Sequence, residues 1–167
     1  MTDMNAAWEQ RLDDLWKKID DHDAEDFVTR IDAMAAELPP GNSIGLFERG
    51  GAQDSTGHPD LAVPLYRAAL DAGLAGPRRR RAIIQMASSL RNLGNAKEAA
   101  ALLTAELDAP SDELDDAVRA TLALALVDLG REREAVALAL TALSHYLPRY
   151  NRSLARYAQQ LTARIHK

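Results

Sequence analysis

Apolar and small residues recur along the middle of the chain with a period close to 36 residues. The repeated pattern is a glycine, an alanine five positions later, and leucines eight and thirteen positions after the glycine. It begins at Gly57, Gly94 and Gly130, and a small residue precedes each glycine by seven positions (Gly50, Ala87 and Ala123). Repetition at this period predicts a stack of helical hairpins.

Each repeated glycine is predicted to end one helix in a left-handed turn, with the next helix starting a few residues later. The alanine is then expected where the two antiparallel helices cross most closely, and the leucines on the face shared with the next hairpin. Because one hairpin cannot bury that face alone, several hairpins would share one core. The predicted fold class is an all-α α-solenoid of about nine helices.

Apolar residues at helical spacing also flank the repeats and predict helices at both ends of the chain. An N-terminal hairpin is indicated by Trp8, Leu12, Leu15 and Ile19, followed by Phe27, Ile31, Met34 and Leu38. A C-terminal capping helix is indicated by Tyr150, Leu154, Tyr157, Leu161 and Ile165, with its arginines facing water. The predicted organisation is one helical-repeat domain, 1–167, comprising a degenerate hairpin (1–41), three repeats (42–75, 76–110 and 111–147) and the cap (148–167).

Four segments carry a resemblance to a known family: GHPDLAVPLYRAAL, RRRRAIIQMASSLRNLG, LALALVDLGREREA and LPRYNRSLARYA. Their spacing resembles the tetratricopeptide repeat, and most closely the bacterial tetratrico peptide repeat group 5 domain, from Asn42 to about Ala158. The resemblance implies a helical scaffold for protein interactions, with no catalytic residues to carry over.

The first repeat departs from the regular pattern at two places. Pro64 falls within its second helix and is expected to kink that helix or to delay its start. Gly50 and Gly51 adjoin within its first helix, at a propensity cost of about 1 kcal/mol each. We therefore expect this hairpin to form with some irregularity.

Four consecutive arginines, residues 78–81, follow Gly76 and Pro77 at the predicted start of a helix, where the helix dipole disfavours cations. One period further along, Arg79 and Arg80 correspond to Asp115 and Asp116. A second period reaches Asn151 and Arg152. The first interpretation is an internal ladder of charges between repeats, in which exposed pairs contribute about 0.2–1 kcal/mol each.

A second interpretation is a binding surface for a partner on the same helix. Its spacing puts five residues on one polar stripe: Arg78, Arg81, Gln85, Ser88 and Asn92. The resemblance implies that Arg81, Ile84, Ser88, Arg91 and Asn92 face a concave groove. Such a groove could hold a peptide carboxylate or an acidic side chain through charge-assisted hydrogen bonds.

The third repeat contains the segment ATLALALV, residues 120–127, which is apolar on all sides and is expected to need cover. The resemblance places Leu124 and Val127 at groove-facing positions, together with Ile44 and Phe47 of the first repeat. The C-terminal helix is the first expectation for the cover. A second copy of the chain or a binding partner is the alternative.

Composition narrows the possible functions. The chain has 167 residues, no cysteine and a net charge of −5, with few aromatic residues, so nucleic-acid binding is disfavoured. The N-terminal segment lacks the features of a signal peptide, and no apolar run is long enough to span a membrane. These features predict a cytoplasmic protein that does not bind membranes.

No motif indicates catalysis, a cofactor or a metal. The histidines (His22, His58, His145 and His166) have no metal-binding spacing, and no phosphate-binding loop or nucleophile with a base is recognisable. We predict a non-enzymatic scaffold that binds a protein or peptide partner. One version of this prediction is that the partner carries an acidic group. The predicted contacts are Phe47, Arg78, Arg81, Ile84, Gln85, Ser88, Arg91, Asn92 and Leu124. The alternatives are a homo-oligomerisation module using the same apolar residues, such as a homodimer, and, with less support, a nucleic-acid-binding protein.

Overall fold

A computed structural model describes residues 2–163 of the chain, and the side chains of residues 6–163. Within these residues the fold is all-α, with nine α-helices, one short 3-10 helix at Ile19–Asp21 and no strand. The α-helices are α1 (Thr2–Trp16), α2 (Ala24–Ala35), α3 (Ser43–Ser55), α4 (Pro59–Asp71), α5 (Pro77–Asn92), α6 (Ala96–Leu107), α7 (Asp115–Asp128), α8 (Glu132–Ser144) and α9 (Asn151–Ala163). The predicted fold class and helix number are confirmed. The chain forms two compact units, residues 1–79 and 80–167.

The three repeated glycines end helices α3, α5 and α7 in the same way. Gly57, Gly94 and Gly130 have φ angles of 87°, 83° and 70°. The residue after each glycine donates its backbone N–H to a carbonyl five residues earlier, as from Asn95 to Leu90 at 2.8 Å. This arrangement is the Schellman motif, which glycine favours because it has no Cβ to clash in the left-handed region. The predicted glycine turns are therefore confirmed.

The first unit is built around the N-terminal helices. Its core contains Trp8, Leu12, Phe27, Ile31, Met34 and Ala52. The Trp8 indole N–H donates to the Met34 carbonyl oxygen at 3.0 Å, so this polar group is satisfied inside the core. The Trp16 ring packs edge-on against Phe27, with ring centroids 5.0 Å apart. Five residues of the predicted N-terminal apolar stripes are thus core residues of α1 and α2, and the other three, Leu15, Ile19 and Leu38, are partly buried against that core.

The glycine pair in α3 has a packing reason. A Cβ built on Gly50 would lie 2.9 Å from the Tyr66 ring, and one on Gly51 would lie 3.2 Å from the Trp16 ring. Tyr66 is fully buried. Two aromatic rings therefore occupy the space of two side chains, which offsets the low helix propensity of glycine at these positions.

Helix α4 starts without the delay expected from Pro64. It begins at Pro59, in the first helical turn where a proline needs no backbone N–H, and it continues through the exposed Pro64 to Asp71. Of the two effects expected from Pro64, the delayed start does not occur, because Pro59 already provides a favourable helix start five residues earlier.

In the second unit, α7 packs against both α6 and α8, and α9 packs against α8. The alanines of the repeat pattern are buried, as expected for close helix crossings: Ala99 in α6 and Ala135 in α8. The buried face of α9 is centred on Ala158. Tyr150 and Tyr157, two of the residues whose spacing predicted this capping helix, are instead exposed. Ile165, which belongs to the same spacing, and His166 lie outside the described residues.

Candidate functional site

Arg80 is a buried cation at the start of α5. Its Nη2 atom lies 2.8 Å from the Asp115 carboxylate and donates to the Glu106 carbonyl oxygen at 3.0 Å. The guanidinium also contacts the carboxylates of Glu106 and Asp112. The predicted pairing between the arginine cluster and Asp115 is confirmed. Asp112 belongs to the acidic segment, residues 111–116, that was expected beside the arginines. The contribution of Glu106 was not foreseen, although an acid amid the apolar residues of α6 was an available signal.

The acidic start of α7 continues this charge network. The Ser111 hydroxyl donates to the Asp115 carboxylate at 2.7 Å, and together with Arg80 it lowers the pKa of Asp115 to about 2. Asp116 pairs with Arg119 at 2.8 Å and with His145 Nδ1 at 2.8 Å. His145, which directly follows α8, therefore connects the end of α8 to the start of α7.

Arg78 forms an internal ion-pair network in the first unit. Its Nε donates to the Glu48 carboxylate at 3.0 Å, and its Nη1 donates to Glu9 at 3.0 Å. Glu48 is almost fully buried and also accepts the Trp16 indole N–H at 2.8 Å. A buried carboxylate requires such compensation. Arg78 thus holds Glu48 within the first unit, and its assignment as a partner contact stays a prediction.

Arg91, near the end of α5, pairs with Asp128 at the end of α7, with 2.6 Å between Nε and Oδ2. Arg91 therefore meets an acid of its own unit, and its role as an anchor for an acidic partner stays a prediction. Together with Arg80–Asp115, this pair connects corresponding ends of α5 and α7. The two helices are therefore parallel neighbours, as the repeat period predicts.

Between these two ion pairs lies a mixed surface, which we call the α5–α7 surface. Its members are Arg81, Ile84, Gln85, Ser88, Asn92, Leu124 and Val127. Arg81 and Asn92 are exposed, and Ile84, Gln85 and Ser88 are partly buried. The Gln85 Oε1 atom is buried and accepts no hydrogen bond from the described residues. The polar groups thus come from α5 and the apolar ones mainly from α7.

The apolar part of this surface is open to solvent. Leu124 is 51% exposed and Val127 is 49% exposed. The C-terminal helix was the expected cover, but α9 packs on α8 and leaves both side chains half-exposed. That expectation was wrong because the apolar face of α9 packs against α8 and so does not cover Leu124 and Val127.

Phe47 is not part of an accessible surface. Its side chain is 2% exposed, and its ring lies 6.1 Å from the ring of Tyr66. Ile44 packs against the core of the first unit. The assignment of Phe47 as a partner contact is corrected, because its ring is enclosed in the core of that unit.

The described residues contain no cluster of three or more histidine or acidic side chains arranged to hold a metal ion. Across the same part of the chain, every helix is too short or too polar to cross a lipid bilayer.

The fold and the α5–α7 surface define an all-α helical-repeat protein. The model of the tetratrico peptide repeat family matches residues 43–161, and the chain belongs to this family. Domains of this family generally act as non-catalytic scaffolds for protein–protein interactions. No curated protein and no solved structure gave a significant match to the chain.

Proposed function

We propose that the chain is a scaffold that binds a protein or peptide partner on the α5–α7 surface. The observation that carries this proposal is the half-exposure of two neighbouring apolar side chains in the C-terminal half of α7, Leu124 and Val127. Apolar side chains left uncovered beside polar groups are typical of interaction sites. The family to which the chain belongs supports the same general function.

The partner's chemistry follows from the side chains of this surface. Leu124 and Val127 suit the apolar residues of an extended or helical peptide. On α5, Ser88 and Asn92 can donate and accept hydrogen bonds, and the unsatisfied Gln85 oxygen can accept one after a small side-chain rotation. Arg81 is exposed on the same helix, and its guanidinium could meet an acidic group of the partner through charge-assisted hydrogen bonds.

Site-specific crosslinking tests the proposal. A photo-crosslinking amino acid is introduced at Leu124 and, as a control of similar exposure, at Val136 on α8. We expect defined adducts from position 124 in native lysate, and loss of these adducts when Arg81→Glu is added to a protein that remains folded. Identical adducts from both positions, or adducts that persist with Arg81→Glu, would contradict the assignment.

Self-association through the same apolar residues is a second candidate, since Leu124 and Val127 could equally pack against another copy of the chain. Light scattering over a range of protein concentrations separates the two possibilities. A concentration-dependent dimer that Leu124→Glu converts to monomer favours self-association. A monomer at all concentrations rejects it and leaves the partner-binding proposal standing.

A further inference from the structure

The loop that follows α8 and the exposed side of α9 have an unusual composition, and we call their exposed residues the Arg/Tyr face. It consists of Tyr146, Arg149, Tyr150, Arg152, Arg156 and Tyr157. The three tyrosines are 72%, 79% and 53% exposed in chain order, and the three arginines are also exposed. No acidic residue occurs in residues 145–163.

The geometry of α9 places the charged residues of this face together. Arg152 and Arg156 are one helical turn apart, and they lie on the side of α9 opposite the buried Ala158. The Arg156 guanidinium carbon lies 5.6 Å from the centroid of the Tyr157 ring, within the range of a cation–π contact. This side of the helix therefore presents cations and aromatic rings to the solvent.

Tyr150 has a backbone conformation that is unfavourable for tyrosine. Its φ angle is 65°, and no other described residue except glycine has a positive φ. A side chain in the left-handed region is normally disfavoured by contact with its own backbone. Packing of the side chain does not offset the energetic cost of this conformation, because the ring is mostly exposed. Strain of this kind at an exposed position is a feature of functional segments.

The arginines of this face differ from those elsewhere in the chain. Arg78, Arg80 and Arg91 are held by carboxylates of their own unit. Among the described residues, Arg149, Arg152 and Arg156 form no ion pair. The face thus contains three arginines and three tyrosines and no lysine or acid. Arginine and tyrosine are among the residues that contribute most to binding energy at protein interfaces, whereas lysine and acidic residues are depleted there.

We propose that the Arg/Tyr face binds an acidic segment of a partner protein. The carboxylates of that segment would pair with the arginines, and its apolar side chains would pack on the tyrosines and on Leu143, which is half-exposed on α8. A nucleic acid is disfavoured as the partner. Residues 1–144 contain all 25 acidic residues and only 15 basic ones, so this part of the chain has a net negative charge. That negative charge would repel a long polyanion. This site does not depend on the proposed α5–α7 surface.

Fluorescence anisotropy with the whole chain tests the proposal. The probe is a short fluorescein-labelled peptide of Glu-Glu-Leu repeats, compared with a Gln-Gln-Leu peptide of equal length and with a labelled single-stranded oligothymidylate. The test variant is Arg152→Glu combined with Arg156→Glu. The matched control combines Lys18→Glu with Lys97→Glu, which changes the net charge equally at two exposed positions outside the face.

We expect the Glu-Glu-Leu peptide to bind, and its affinity to fall about tenfold or more in the test variant and little in the control. Binding should also weaken as salt is raised, because the pairs are exposed. No measurable binding, equal loss in both variants, or comparable binding of the Gln-Gln-Leu peptide would overturn the proposal. Tighter binding of the oligothymidylate would overturn it in favour of a nucleic acid.

Tyr150 provides a second readout. Tyr150→Gly removes the ring and relieves the left-handed strain, so the melting temperature should not fall while peptide binding weakens. A lower melting temperature with unchanged binding would show that Tyr150 serves only the fold, and would contradict its place in the site.

Discussion

The Arg80 guanidinium lies 2.8 Å from the Asp115 carboxylate and joins the start of α5 to the start of α7. This contact explains how a chain can place arginines at the unfavourable end of a helix dipole. The carboxylates of Glu106, Asp112 and Asp115 surround the cation, and the surrounding protein buries it. Much of the stability of the second unit should therefore depend on this one side chain.

Arg80→Leu should lower the free energy of unfolding of the second unit by about 3–5 kcal/mol, because it leaves the buried Glu106 without its cation. Urea denaturation followed by circular dichroism measures this change. Adding Glu106→Leu should recover part of the loss, since both buried charges are then absent.

An exposed ion pair serves as the control for that experiment. Arg131 pairs with Glu134 at 2.7 Å on the surface of α8, and Arg131→Leu should cost no more than about 1 kcal/mol. Equal losses from Arg80→Leu and Arg131→Leu would show that the Arg80 cluster has no special role.

The stability of the second unit should depend on pH through Asp115. Its pKa is lowered from 3.8 to about 2, so the folded state favours the ionised carboxylate more than the unfolded chain does. The resulting stabilisation, about 1–2 kcal/mol after allowance for solvent screening, is complete above about pH 5 and disappears as the pH falls towards 2. The measurement is the difference in unfolding free energy between wild type and Asp115→Asn across this range. A difference that stays constant with pH would contradict the assignment.

Gly50→Ala should destabilise the first unit, although alanine is the better helix former by about 1 kcal/mol. The added Cβ would meet the Tyr66 ring at 2.9 Å, closer than packed atoms normally approach. Thermal melting of Gly50→Ala in the wild-type and Tyr66→Leu backgrounds tests this reason. The substitution should cost less when the ring is absent, and an equal cost in both backgrounds would exclude the clash.

Arg78→Leu should destabilise the first unit by about 2–4 kcal/mol, because Glu48 is left as a buried carboxylate with only the Trp16 N–H as a partner. The loss should shrink in the Glu48→Gln background, where the buried charge is gone. Denaturation of the four proteins forms a double-mutant cycle. Independent, additive effects would contradict the structural role of Arg78.

The repeat period was enough to predict the hairpins and their turns. Gly57, Gly94 and Gly130 mark positions where the backbone needs a positive φ, and this requirement is local, so the sequence reveals it. The same period placed Arg79 and Arg80 beside Asp115 and Asp116, because equivalent helices in adjacent repeats are neighbours, and the structure pairs Arg80 with Asp115. It could not identify Glu106 as a further partner, since that contact depends on how α5 and α6 cross.

The sequence by itself determined the fold class, the glycine turns that end α3, α5 and α7, and the proximity of the arginine cluster to the acidic start of α7, because each depends on local backbone preferences or on a regular spacing. Only the tertiary structure decided which of the predicted partner contacts are buried or paired within the protein itself. Phe47 is enclosed by packing, and Arg78 and Arg91 are neutralised by acids distant in the chain. Burial and charge pairing depend on contacts between helices, and a linear pattern of residues does not specify those contacts.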